Sequence, residues 1–141
     1  RVWTVVRLQR RGWPNCNLCP LCKQTPESAA HLLFQCRYTI RVWQMIKSWL
    51  GLQDVHPANW GGFTSVKEWW RANAFGTSRP RRALLPSIML LISWEIWKER
   101  NARVFRNNAI LVGVLVARIK EEASWWCRAG AKYLCNVMPR E

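Results

Sequence analysis

Three cysteines and a histidine, Cys19, Cys22, His31 and Cys36, follow one another in the pattern Cys-x2-Cys-x8-His-x4-Cys. Zinc in structural sites takes four thiolate or imidazole ligands, and two ligands separated by two residues let a single tight turn supply half of the tetrahedron. Two such pairs compete here, because Cys16-Asn17-Leu18-Cys19 and Cys19-Pro20-Leu21-Cys22 share their middle cysteine. The second is favoured, since Pro20 fixes a backbone angle directly after the first ligand and lowers the entropy lost on closing the turn. Cys16 is then a spare thiol beside the site. With four protein ligands no coordination position is left for water, so one zinc ion is expected to stabilise the fold rather than to catalyse.

The other half of the set constrains the backbone. Five residues of a regular α-helix turn through about 500°, about 140° beyond one full turn, so His31 and Cys36 cannot share a face of one. His31 is therefore expected at a frayed or pre-helical position, reaching back with its longer side chain. Other candidates are weaker. Cys127 and Cys135 lie eight apart on the last predicted helix and are expected to pack, and His56 precedes Pro57 in a loop. Asp54 is the only aspartate, and no Ser-His-Asp or paired-carboxylate arrangement is visible, so no enzyme is expected.

The elements that must position these ligands follow from spacing. Residues 16–30, with Pro20 and Pro26, read as a loop wrapped on metal. From Glu27 apolar residues recur at three and four, through Leu32, Leu33, Ile40, Trp43, Ile46 and Leu50, and predict a helix that Gly51 ends. Residues 53–64 contain Pro57, Gly61 and Gly62 without periodicity and read as a linker. Ser65-Val66-Lys67-Glu68 has capping-box spacing and predicts a short helix through Trp69 and Trp70. A long apolar helix is expected from about Ala83 to Phe105, with Pro86 in its first turn, and a last one from about Ile110 to Leu134. The fold class is thus mainly α, a small zinc-stapled loop-helix module followed by a helical hairpin or small bundle. The organisation expected is a zinc-binding unit at 1–52, the linker at 53–64 and a helical region at 65–141. Trp43, Trp94 and Trp97, at helical spacing, are expected in the core.

With 22 Lys and Arg against eight Asp and Glu, the 141 residues carry a net charge of +14. A balance this basic calls for a polyanionic partner. Residues 1–50 hold a net +7 and 79–107 a net +5, flanking a neutral 51–78. The eleven Trp and 50% hydrophobic content exclude a disordered tail. The longest apolar stretch, from Ala83 through Trp97, is interrupted by Pro86 and Glu95 and falls short of a membrane span. No signal peptide is visible, and an opening on Arg1 rather than Met suggests a start that lies upstream. Reduced thiols and an intracellular address follow, with nucleus and cytoplasm undecided.

Arg10-Arg11-Gly12-Trp13, Cys19-Pro20-Leu21-Cys22, Glu27-Ser28, His31-Leu32-Leu33-Phe34, Cys36 and Trp43 together resemble the reverse transcriptase zinc-binding domain at the C-terminal end of plant LINE-type, non-LTR retrotransposon polyproteins. Downstream, Trp94-Glu95-Ile96-Trp97-Lys98-Glu99-Arg100-Asn101-Ala102-Arg103-Val104-Phe105 looks like the Trp- and Arg-rich segment that follows this domain in such elements. The resemblance implies the same four ligands and gives Cys16 no counterpart. It also implies that polymerase and endonuclease regions precede the chain.

The expected role is a non-catalytic zinc module that helps a retroelement protein hold RNA or DNA. Arg7, Arg10, Arg11, Lys23, Arg37, Arg41 and Lys47 would neutralise phosphate, and Trp13 would stack on a base. Two alternatives stand beside it. One is a scaffold whose helices dock on the upstream reverse transcriptase region; the other is a retroelement relic without function. Neither a membrane nor a small-molecule substrate is expected as a partner.

Overall fold

The computed structural model of the chain describes residues 18–53, 55–74 and 79–128, and of residues 79–84 the backbone alone. Arg7, Arg10, Arg11, Trp13, Cys16 and Cys135 lie outside the described residues. What is described is mainly helical: α1 (Arg37–Leu50), α2 (Val66–Ala74), α3 (Arg79–Phe105) and α4 (Val112–Arg128). Among the described residues the β contribution is one isolated bridge, Leu18 to Pro26, closing the neck of the cysteine loop.

The helix expected from Glu27 is broken in two. A π-helical turn, His31–Gln35, precedes α1, and Cys36 between them is extended with ψ 135°. The break frees the carbonyl of Leu32, which accepts a hydrogen bond from the buried Thr39 hydroxyl at 2.6 Å. α1 ends as expected, with Gly51 left-handed at φ 67° and the Leu52 N–H bonded to the Lys47 carbonyl. Glycine alone takes that backbone angle without steric cost.

Residues 55–62 are packed. A 3-10 helix, Pro57–Gly62, buries Pro57 and Trp60, and the Trp60 indole N–H donates to Asn73 of α2. The capping box forms one residue out of register. Ser65 Oγ accepts the Glu68 N–H as predicted, but the Glu68 carboxylate reaches back to the N–H and hydroxyl of Thr64. α3 begins at Arg79, four residues earlier than expected, so Pro86 lies inside the helix rather than in its first turn. A proline there removes one backbone hydrogen bond, a cost that burial of Leu85, Ile88, Met89, Leu91 and Ile92 on the same stretch offsets. Asn107, left-handed at φ 53°, ends α3, with the Asn108 N–H closing on the Ala102 carbonyl.

The core is aromatic. Phe34 stacks on Trp69 at 4.9 Å, and Trp43, Trp60 and Trp69 meet edge to face at 5.0 to 6.1 Å. Offset and T-shaped contacts of this kind are the favoured ones for ring quadrupoles. Trp43 is fully buried as expected, whereas Trp94 is 53% exposed and Trp97 only partly buried beneath Arg100. α1 and α4 run side by side in the same direction, Tyr38 meeting Ile110 at one end and Trp49 meeting Lys120 at the other. No helix among the described residues is long and apolar enough to cross a membrane.

Candidate metal centre

The loop at residues 18–26 presents the first two cysteines through local hydrogen bonds. The Cys19 N–H donates to the Thr25 carbonyl and the Lys23 N–H to the Cys19 carbonyl, both at 2.8 Å, while the Leu21 N–H points at the Cys19 sulfur at 3.4 Å. Lys23 adopts φ 58°, the left-handed angle that turns the chain back after the second cysteine. For a residue with a side chain that conformation costs about 1–2 kcal/mol, and here the closed loop holds it.

The π-helical turn resolves the mismatch between His31 and Cys36. The Cys36 N–H bonds to the His31 carbonyl at 2.6 Å, five residues back, so one turn is completed over five residues and the two ligands come onto one side. An i to i+5 bond does this where the α-helix cannot. His31 therefore sits at the first position of a regular, wide turn rather than in a frayed segment. Ser28 starts it, its hydroxyl accepting the His31 N–H at 3.0 Å.

The structure brings Cys19, Cys22, His31 and Cys36 together. Their four ligand atoms all lie within 4.8 Å of one another, with Cys19 Sγ to Cys36 Sγ at 3.9 Å and Cys22 Sγ to His31 Nε2 at 3.3 Å. A tetrahedral zinc ion places two sulfurs about 3.8 Å apart and a sulfur and an imidazole nitrogen about 3.6 Å apart. The cluster is thus of the right size and donor type for one ion. Cys19 and Cys36 are fully buried, and none of the three cysteines forms a disulfide.

The electrostatics prepare the donors. The bond shared with Cys36 holds the Cys19 thiol down at about 4 against the effect of burial, with the His31 ring adding to it. The same bond, together with burial, pushes Cys36 up. Burial opposes ionisation of Cys22, but backbone groups of Gln24 and Thr25 and the His31 ring leave it below the usual thiol value. His31 is raised by its bond to Cys19. Zinc binds deprotonated thiols and a neutral imidazole, so an arriving ion would release the protons that these donors carry.

Helix α3 supports this centre from outside, which spacing did not foretell. Arg103 donates from Nη1 to the carbonyls of Pro20 and Leu21 at 3.2 Å each, bonding the backbone between the first two ligands. Its Nε binds Glu99 at 2.8 Å, its Nη2 the carbonyl of Ile110, and its guanidinium lies 4.8 Å over the ring of Tyr38. Arg100 makes a two-pronged ion pair with Glu27, at 2.8 and 3.2 Å, with both side chains fully buried. Glu27 immediately precedes Ser28, so this pair fixes the entry to the π-helical turn. Burial pushes the Tyr38 phenol up to about 12, Glu99 acting in the same sense. Arg100 and Arg103 belong to the Trp- and Arg-rich segment, and the available sequence signal was their i, i+4 spacing from Ile96 and Glu99 within it.

Residues 1–43 match the family described as zinc-binding in reverse transcriptase. The match contains all four clustered residues, and the two observations together support a reverse transcriptase zinc-binding domain. It ends within α1, so Arg100 and Arg103 lie beyond it. No curated protein and no solved structure matches the chain.

Of the residues expected to contact nucleic acid, Lys23, Arg37 and Arg41 are exposed and border the centre. Arg37 and Arg41 line a cavity of about 390 Å³ with Leu21, Cys22, Tyr38 and Val112. Lys47 lies at the far end of α1, half-buried, on a second cavity with Gln44, Ser48 and Gly51. Cys127, expected as a packing residue, is disulfide-bonded.

Proposed function

We propose that Cys19, Cys22, His31 and Cys36 hold one structural zinc ion in a non-catalytic module of a LINE-type, non-LTR reverse transcriptase protein, and that the module assists binding of RNA or DNA. The observation that carries this reading is the four-residue cluster inside the segment matching the reverse transcriptase zinc-binding family. All four positions are filled by protein donors, which is the pattern of a structural rather than a catalytic zinc. The net charge of +14 and the basic residues beside the cluster supply the attraction to phosphate.

Metal analysis of the purified chain beside Cys22→Ser and Cys16→Ser tests the ion. One zinc per chain is expected, lost in the first variant and retained in the second, and the reverse result would move the turn to Cys16 and Cys19. For the partner, titration of a labelled oligonucleotide at several salt concentrations should show affinity falling steeply with salt, and binding indifferent to salt would count against phosphate contacts.

A second reading has its own observation. Leu90 and Trp94, one turn apart on α3, are 57% and 53% exposed and point away from the core. Such a pair fits a scaffold that docks on the upstream reverse transcriptase region. Weakened capture of that region by Trp94→Ser, with oligonucleotide affinity unchanged, would favour this reading.

A further inference from the structure

The cavity between the cysteine turn, the start of α1 and the start of α4 is lined by Leu21, Cys22, Arg37, Tyr38, Arg41 and Val112 and encloses about 390 Å³. Tyr38 lines it, with its hydroxyl already engaged with the Ile110 carbonyl. Its charged rim is Arg37 and Arg41, four residues apart on α1, both exposed and neither paired with a carboxylate among the described residues. Like charges at this spacing on a helix repel by a few tenths of a kcal/mol. An anion seated between them removes that repulsion, and two guanidinium forks can grip phosphate oxygens from two sides.

The surrounding charge is favourable on balance. Glu99, the acid behind Tyr38, is neutralised by Arg103 at 2.8 Å, while Arg118 on α4 is close enough to act on the Tyr38 phenol. Lys23 follows Cys22 directly and is exposed. Three thiolates and an imidazole around a divalent ion leave a net −1 at the centre, which the four surrounding cations outweigh.

We infer that this cavity is a seat for a backbone phosphodiester of a nucleic acid strand, held by Arg37 and Arg41 against the cysteine turn. The inference rests on the nucleic-acid reading above and narrows it to one place. It also separates Arg37 and Arg41 from Lys47, which is about 15 Å from Arg37 along α1 at the helical rise per residue.

A single-stranded oligonucleotide of about 12 nucleotides, within the footprint of small single-strand binders, is titrated at three salt concentrations against zinc-loaded chain and two double variants. Arg37→Ala/Arg41→Ala removes the rim. Lys67→Ala/Arg71→Ala removes an equal charge at equal spacing from the exposed face of α2. The rim variant should bind at least about tenfold more weakly, with a salt slope shallower by about 1.4 if each arginine neutralises one phosphate, and the α2 variant within about twofold of the parent. Equal loss in both variants would show a diffuse charge effect and overturn the seat, as would no loss in either. Absence of binding by the parent chain would overturn the nucleic-acid reading itself and the seat with it. Zinc content reports that the variants are folded; if the alanine pair loses metal, Arg37→Gln/Arg41→Gln keeps the side-chain length and the same comparison decides. Inorganic phosphate titrated at constant ionic strength separates a free ion from a strand. Tighter binding of the inorganic anion than of the oligonucleotide would assign the cavity to the free ion and overturn the proposal.

Discussion

Arg100 and Glu27 are the most consequential pair outside the four clustered residues. Both are withdrawn from water, and their forked geometry satisfies two donors with two acceptors. A buried pair of this kind adds little net stability over an apolar pair of equal size, yet removing the carboxylate leaves the guanidinium charged and unsolvated. Glu27→Ala should therefore cost about 3–5 kcal/mol in urea or thermal unfolding of the zinc-loaded chain, because it leaves the buried Arg100 without its carboxylate. The double change Arg100→Met/Glu27→Leu should recover most of that loss, and a double variant as unstable as the single one would show that the pair is not the cause. Nothing in the sequence announced it. The partners are 73 positions apart, and each taken alone reads as an ordinary charged residue on a helical or loop segment.

Among the elements, the π-helical turn decides the site and α1 carries it. The x4 spacing between His31 and Cys36 was visible as an anomaly, because a regular helix cannot place both on one side. The solution was not visible, since an i to i+5 turn has no compositional signature and depends on groups such as Thr39, whose hydroxyl takes up the freed Leu32 carbonyl. The ends of α1 and α2 were readable for the opposite reason. Glycine at a left-handed C-terminus and serine three residues before glutamate are local chemistry. Gly51→Ala tests this at the helix end. No atom lies within 4 Å of an added methyl group, so the cost is the backbone angle alone, about 1 kcal/mol by denaturant unfolding, with Gly51→Asn losing less. The stretch around Trp60 lacks the periodicity that marks a regular helix in sequence, and a 3-10 turn that buries one tryptophan and one proline needs none.

For the whole molecule, the metal centre and the long helix are bonded to one another. Arg103 holds two carbonyls of the cysteine turn and one at the start of α4, and Tyr38 ties α1 to the same point. Removal of zinc with a chelator is expected to loosen α3 and α4 as well as residues 18–36. It should be measured as loss of helical circular dichroism and of tryptophan burial in one concerted step, and a chelated chain that keeps its full helical signal would refute this coupling. The mainly helical class and the four metal-binding candidates could be read from residue types and spacing. The docking of α3 on the cysteine loop could not, because it joins segments about 80 residues apart through backbone carbonyls, which every residue possesses.

The ion pair between Glu27 and Arg100 also bears on inheritance. One half lies inside the segment that matches the zinc-binding family and the other far beyond it, so loss of the carboxylate alone would strand the buried guanidinium. Related chains that replace Glu27 should replace Arg100 with it, and a shuffling event that transplanted the cysteine segment without its distant helix would deliver a finger with all its ligands and half its support.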